Sequence, residues 1–340
     1  MENRDIRQIQ EEVRLAAAPL QLVKQEMGRV VSGQEKLVER LLLALIADGH
    51  ALLEGVPGLA KTLAVKTLAQ SLDGSFSRLQ FTPDLLPADV IGTRIYNTGT
   101  GEFTTKVGPV FANVVLADEI NRAPAKVQSA LLEAMQEKQI TIAGERFALP
   151  EPFLVMATQN PVEQEGTYPL PEAQLDRFMF KLLVRYPARE EERSVVERMA
   201  HPAPPPAASP VASLEDVMRA RKLVDEVYID EKILEYILDL VIATRPGEEQ
   251  QLSSRQKGVR LDELSGLIAY GASPRASIAL ALAARGLALL DGRAYVLPED
   301  VKELAPDVMR HRIVLSYEAE AEGVDADAIV GKLLDTLHTP

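Results

Sequence analysis

Over the first 31 residues the apolar positions Ile6, Ile9, Val13, Leu20, Val23, Met27 and Val30 recur in threes and fours. That period predicts an amphipathic helix packed on the core, with a break at Pro19, whose ring removes a donor and crowds the preceding turn. Glu35 to Ala47 continues as a strongly apolar helix leading to a first strand. From there the period changes. Leu52-Leu53-Glu54, Leu79 to Phe81, Val114 to Ala117, Phe153 to Ala157 and Met179 to Val184 are short apolar runs. They are continuous rather than alternating, which suits parallel strands covered on both faces. A helix over about 62–72 connects the first two.

Two stretches alternate instead. Thr93 to Val107 forms two such runs around Asn97-Thr98-Gly99-Thr100-Gly101, and in Gln139 to Leu149 Ile140 and Ile142 alternate toward a turn at Ala143-Gly144-Glu145. Both read as β-hairpins, either working loops or exposed decoration. Residues 201–213 are rich in Pro and Ala and read as a linker. Beyond it the pattern is helical throughout. Ser213 caps a helix from Leu214 to Val227, Asp230 caps one over about 231–244, Ser273-Pro274 opens one that runs to about 290, Pro298 opens another, and Ala326 to Leu337 is the last. The expected fold class is α/β: a parallel five-stranded sheet between helices over 1–200, with N-terminal helices and two inserted hairpins, then the linker 201–213 and a C-terminal all-helical lid over 214–340.

The first strand feeds directly into Gly55-Val56-Pro57-Gly58-Leu59-Ala60-Lys61-Thr62. Glycines let a loop turn its N–H groups toward a polyphosphate, and the following helix adds the positive end of its dipole. In such a loop Lys61 reaches the β- and γ-phosphates and the Thr62 hydroxyl holds Mg²⁺. Ala60 stands where the general pattern has a second glycine; alanine is the smallest alternative. About 55 residues on, Val114-Val115-Leu116-Ala117 ends in Asp118 and Glu119. The carboxyl end of a strand is where open α/β sheets bind ligands. There Asp118 completes a Mg²⁺ shell and Glu119 orients or deprotonates an attacking water. The pair reads as an ATPase-type site. Asn160, past the Phe153 to Ala157 strand, either positions water opposite the γ-phosphate or forms a turn before Pro161.

Composition narrows the class. The chain has 340 residues, 46% of them hydrophobic, enough for one large core and a smaller one. A formal charge of −13 and a pI near 5.0 argue against wholesale nucleic-acid binding, which needs a basic footprint. No cysteine is present, so disulfides and thiolate metal sites are excluded, and His50, His201, His311 and His338 show no ligand spacing. The charged start Met1-Glu2-Asn3-Arg4-Asp5, without a signal peptide or a membrane-length apolar run, leads to the expectation of a soluble, cytoplasmic protein.

Six stretches together resemble the MoxR family of AAA+ ATPases. They are the loop Gly55 to Thr62 with its alanine before lysine, Gln80-Phe81-Thr82-Pro83-Asp84-Leu85-Leu86-Pro87, Asp118-Glu119-Ile120-Asn121-Arg122-Ala123, Ala157-Thr158-Gln159-Asn160-Pro161, Leu170 to Phe178, and Gly271-Ala272-Ser273-Pro274-Arg275. The resemblance covers nearly the whole chain and keeps the family's order. It implies that Asn160 is the first sensor, that Arg177 is an arginine finger acting on a neighbouring subunit's ATP, and that Arg275 is a second sensor on the lid. It also implies that residues near 93–107 are the insert in the second helix of this clade, that Val31-Ser32-Gly33-Gln34 flanks adenine, and that the protein is a ring, of hexameric size, remodelling or maturing a client that often carries a von Willebrand factor A domain. The bland alternatives are an Asp176–Arg177 surface ion pair and helix decoration at Arg275. Arg122 is a further inter-subunit candidate, and nothing favours a particular role for Lys106.

The sequence leaves two rival functions. One is a nucleotide-switched binding scaffold with little hydrolysis, which would not need Glu119. The other is a nucleic-acid remodelling motor, disfavoured by the acidic balance and by hairpin tips without basic residues.

Overall fold

The computed structural model describes residues 6–99, 101–162, 166–200 and 207–340. Two compact units emerge: Pro19–Arg177 with Leu182–Met218, and Met1–Ala18 with Phe178–Lys181 and Arg219–Pro340.

The first of these holds most of the sheet. Helix α1 (Ile6–Val30) enters it, followed by α2 (Glu35–Ile46), β1 (Ala51–Glu54), α3 (Lys61–Ser71) and β2 (Phe76–Gln80). After α4 (Pro87–Ile91) come the hairpin β3 (Gly92–Asn97) and β4 (Glu102–Val107), then β5 (Val114–Asp118), α5 (Ala125–Glu137), and a second hairpin of β6 (Gln139–Ile142) and β7 (Glu145–Ala148). Strand β8 (Leu154–Gln159), α6 (Glu172–Leu175), β9 (Phe180–Leu183), α7 (Arg189–Met199) and α8 (Leu214–Val224) follow. The five-stranded sheet runs β2-β5-β8-β1-β9, with β2 on β5, β5 on β8 and β8 on β1 all parallel. Leu52, Leu53, Val115, Leu116, Val155 and Met156 are fully buried, as strands covered on both faces require. From β1 the chain leaves by α3 toward the far edge at β2, while β9 lies on the opposite side of β1. The loop after β1 therefore sits at a topological switch point, where α/β sheets open a crevice for ligands.

Pro19 does not end the first helix, contrary to the expected break: α1 is continuous with Pro19 inside it. An interior proline costs about 3 kcal/mol. Leu20, Val23 and Met27 beyond it are fully buried, and each contributes about 1.5–3 kcal/mol of burial, so the apolar stripe wins. The chain before Pro19 clusters with the C-terminal helices. The Gln10 side-chain amide donates to the Gly292 carbonyl (2.6 Å) and accepts from the Ala294 N–H (3.1 Å), tying the start of α1 to that unit.

Both hairpins form at the expected positions, and they differ. The β6–β7 hairpin turns through Ala143 (φ 50°) and Gly144 (φ 88°) and buries Ile140 and Ile142. The β3–β4 hairpin pairs in unbroken register from Gly92↔Val107 to Asn97↔Glu102 and leaves Tyr96 and Phe103 exposed, their ring centroids 4.9 Å apart. Thr100 at its tip lies outside the described residues.

The second unit is helical: α9 (Glu231–Ile242), α10 (Asp262–Ser265), α11 (Pro274–Leu290), α12 (Pro298–Met309), α13 (Tyr317–Glu322) and α14 (Ala326–Thr336). The sequence signals for its helix starts hold: the Asp230 carboxylate accepts from the Lys232 N–H, and the Ser273 hydroxyl from the Arg275 N–H. One two-stranded antiparallel ribbon, β10 (Ile268–Tyr270) and β11 (Val314–Leu315), is added to a region that reads as helical throughout. Strands of three and two residues are too short to show a period. Of the linker 201–213, residues 201–206 lie outside the described residues.

Candidate nucleotide site

Strand β1 delivers Glu54, and Gly55 begins the loop. A Cβ on Gly55 would fall 2.6 Å from the Val184 carbonyl oxygen, so this approach requires glycine. Gly58 takes φ 88°, and Ala60 is held left-handed at φ 55°, ψ 17° immediately before α3. Ala60 has no polar side chain to cap α3, which leaves the N–H groups of the first turn for an outside acceptor. The Lys61 ammonium donates to the Gly55 carbonyl at 2.5 Å. Burial pushes its pKa down, while Asp118, Glu119 and Glu54 pull it back up. Thr62 follows in the first turn of α3.

The carboxylates come from the end of β5. Asp118 Oδ1 accepts from the Thr158 hydroxyl (2.7 Å), and Oδ2 accepts from Arg78 Nη2 (2.5 Å) and Nε (3.2 Å). Glu119 is left-handed at φ 56°, ψ 50°. Its N–H donates to Thr158 Oγ1 (2.8 Å), and its Oε2 accepts from Gln80 Nε2 (2.7 Å) and Arg122 Nη1 (3.0 Å). The structure thus brings Lys61, Asp118 and Glu119 within electrostatic reach of one another. Among the described residues no group of three or more His, Cys, Asp or Glu could hold a metal ion. The oxygens that would hold Mg²⁺ are the Thr62 hydroxyl and the Asp118 carboxylate, which suits an ion that takes one or two protein carboxylates and completes its shell with phosphate and water.

Residues 50–180 match the family described as ATPase family associated with various cellular activities (AAA), and residues 264–333 match the AAA lid domain. Chaperone MoxR1 of Mycobacterium tuberculosis is 51% identical over 315 residues, covering 93% of this chain and 81% of that protein. The chain belongs to the MoxR family of AAA+ ATPases. Protein MoxR of Methylorubrum extorquens is 31% identical over 334 residues, 93% of this chain and 94% of its own length. The crystal structure of a Cytophaga hutchinsonii protein described as an ATPase superposes with a TM-score of 0.88 at 49% identity, over 97% of each chain. As a MoxR-family P-loop ATPase, the chain joins the α/β core to a helical lid.

In this MoxR protein Asn160 lies buried one residue past β8, and its Oδ1 accepts the Val162 N–H at 3.2 Å, so the turn before Pro161 is made. Arg177 donates from Nη1 to the Leu132 carbonyl (3.0 Å) at the edge of a cavity of about 580 Å³, shared with Glu133, Gln136, Thr141 and Arg146. None of loop residues 55–62 lines that cavity. Arg275 is exposed on the first turn of α11, in the other unit, and Lys106 is exposed on β4. Arg122 pairs with Glu119, as already noted. Arg78, Gln80 and Thr158 were not singled out by sequence reasoning. Gln80 and Thr158 stand in two of the motif stretches, but their proximity to Asp118 and Glu119 depends on the pairing of β2 and β8 with β5, which no single segment encodes.

No helix among the described residues is long and apolar enough to cross a membrane.

Proposed function

We propose that this chain hydrolyses ATP in a Mg²⁺-dependent reaction at the subunit interfaces of a ring of hexameric size, and uses the cycle to remodel or mature a client protein in the cytoplasm. The observation that carries the reading is the convergence of Lys61 and the Asp118–Glu119 pair beside an uncapped helix start. The N–H groups of residues 58–62 and the Lys61 ammonium bind the phosphates. Thr62 and Asp118 would hold Mg²⁺, which when bound would offset the charge of the phosphates. Glu119 takes the proton of the attacking water, and Asn160 orients that water from the end of β8. Arg177 stabilises the charge of a neighbour's γ-phosphoryl group, a contribution of roughly 10³–10⁵ in rate for such fingers. The resemblance assigns Arg275 the part of second sensor.

The exposed Tyr96 and Phe103 support a client-gripping role for the β3–β4 hairpin. The Mycobacterium tuberculosis relative is named a chaperone, and family resemblance points to clients with a von Willebrand factor A domain rather than to nucleic acid. The test is ATPase rate per subunit against protein concentration, with particle size measured in parallel. A cooperative rise that tracks assembly supports the shared-interface reaction. A rate that is flat across a change in particle size, with Arg177→Ala at wild-type activity, favours hydrolysis within one subunit or a nucleotide-switched scaffold.

A further inference from the structure

Thr158 has no part in the loop or in the sensor position, and no motif assigns it a task. It is 1% exposed near the end of β8, in register with Leu53 of β1 on one side, while its predecessor Ala157 pairs with Ala117 of β5 on the other. That placement sets its hydroxyl beneath the point where β5 gives way to the two carboxylates. The hydroxyl uses both of its capacities there: it donates to Asp118 Oδ1 (2.7 Å) and accepts the Glu119 N–H (2.8 Å).

We propose that Thr158 is the positioning residue for both catalytic carboxylates, fixing the rotamer of Asp118 and the backbone of Glu119 through one hydroxyl. The inference rests on the reading of Asp118 and Glu119 given above. The left-handed conformation of Glu119 makes the second bond matter most. A non-glycine residue held there relaxes unless its surroundings over-determine it, and Thr158 takes the N–H of that very residue. The other holders differ in kind. Arg78, Gln80 and Arg122 grip the carboxylate tips through long side chains at or near the surface, whereas Thr158 is short, β-branched and internal, with little rotamer freedom. Valine in its place keeps the shape, leaves the Glu119 N–H without an acceptor and frees one Asp118 oxygen.

The experiment compares Thr158→Val, Thr158→Ser and Glu119→Gln in the full chain, reading kcat and KM for ATP, ATP affinity by calorimetry with and without Mg²⁺, and the thermal midpoint. Thr158→Val should lower kcat about 100-fold, the scale of a misplaced catalytic group, with KM and Mg²⁺-free ATP affinity within about threefold of wild type. The gain in ATP affinity on adding Mg²⁺ should shrink several-fold, since Asp118 is no longer oriented. Thr158→Ser, which keeps the hydroxyl, should stay within about threefold in kcat. Wild-type kcat in Thr158→Val overturns the proposal, and so does a loss in Thr158→Ser as large as in Thr158→Val, which would assign the effect to packing. Should Thr158→Val melt early, Thr158→Ser against Thr158→Ala decides by the same criterion at matched stability. Full activity in Glu119→Gln would instead overturn the reading of Glu119 as the base, a failure separate from that of Thr158.

Discussion

The Lys61 ammonium closes onto the Gly55 carbonyl, 2.5 Å away and six residues earlier in the same loop. The residue proposed to grip phosphate thus also ties the loop's two ends together, and burial already disfavours its charge. Lys61→Met removes a half-buried cation while keeping its length, so the thermal midpoint without nucleotide should hold or rise. A ligand at 100 times its Kd stabilises a protein by about 2.7 kcal/mol. That ATP-induced shift should be present in wild type and absent in Lys61→Met by differential scanning fluorimetry; a retained shift would remove Lys61 from the phosphate site.

Ala60 offers a second test, because φ 55° is unfavourable for any residue with a Cβ. Left-handed backbone costs alanine about 1–2 kcal/mol, and a glycine there loosens the unfolded chain by about 0.4–1 kcal/mol. Ala60→Gly should therefore stabilise the protein by about 0–1.6 kcal/mol and leave ATP affinity intact. Ala60→Val adds β-branching at a positive φ and should cost about 1–3 kcal/mol together with most of the ATP affinity. Denaturant unfolding and calorimetry measure both.

His311 in the C-terminal unit is buried, with Nε2 at 3.0 Å from the Phe178 carbonyl and Nδ1 without a hydrogen-bond partner among the described residues. Burial, then the nearby Arg312, push its pKa well below the ordinary range, with Lys181 and Arg310 adding to the effect. The folded protein therefore excludes a proton that the unfolded chain accepts near pH 6.5. Stability is full above that pH and declines as pH falls below it, by at most about 1.4 kcal/mol per unit for one proton. His311→Gln keeps an amide donor for the Phe178 carbonyl and removes the titration. Its unfolding free energy between pH 7 and 5.5 should decline less steeply than wild type's; parallel slopes would refute the assignment.

The β3–β4 hairpin makes a prediction about clients. Phe103 is 59% exposed, with the Arg94 guanidinium 5.3 Å above its ring. Exposed aromatic anchors commonly carry interface energy. Tyr96→Ala and Phe103→Ala should weaken client binding about tenfold, or about 1.4 kcal/mol, while basal ATPase stays within about twofold. An equal fall in basal ATPase would place the hairpin in the catalytic geometry instead.

What could be read along the chain was what is local. The Ser273-Pro274 start of α11, the turn at Ala143-Gly144 and the buried strands ending in Glu54 and Asp118 each carry their signal within a few residues, and each stands where expected. The misses are non-local. Pro19 sits inside α1 because burial on both sides outweighs one lost bond, a sum that depends on tertiary contacts. Gln10 belongs with Gly292 and Ala294, more than 280 residues away. Arg78, Gln80 and Thr158 reach Asp118 and Glu119 only because β2 and β8 flank β5, so a residue of ordinary strand type becomes part of the site through sheet order.

The central claim, a catalytic site completed by a neighbouring subunit, is tested most directly by mixing two defective proteins. Glu119→Gln lacks the proposed base but keeps Arg177; Arg177→Ala lacks the proposed finger but keeps Glu119. Each alone should hydrolyse ATP at background rate. Combined before nucleotide is added, they should regain activity, because an intact base in one subunit then meets an intact finger from the next. A mixture that stays at background although mixed particles form, or an Arg177→Ala protein active on its own, would contradict the shared site.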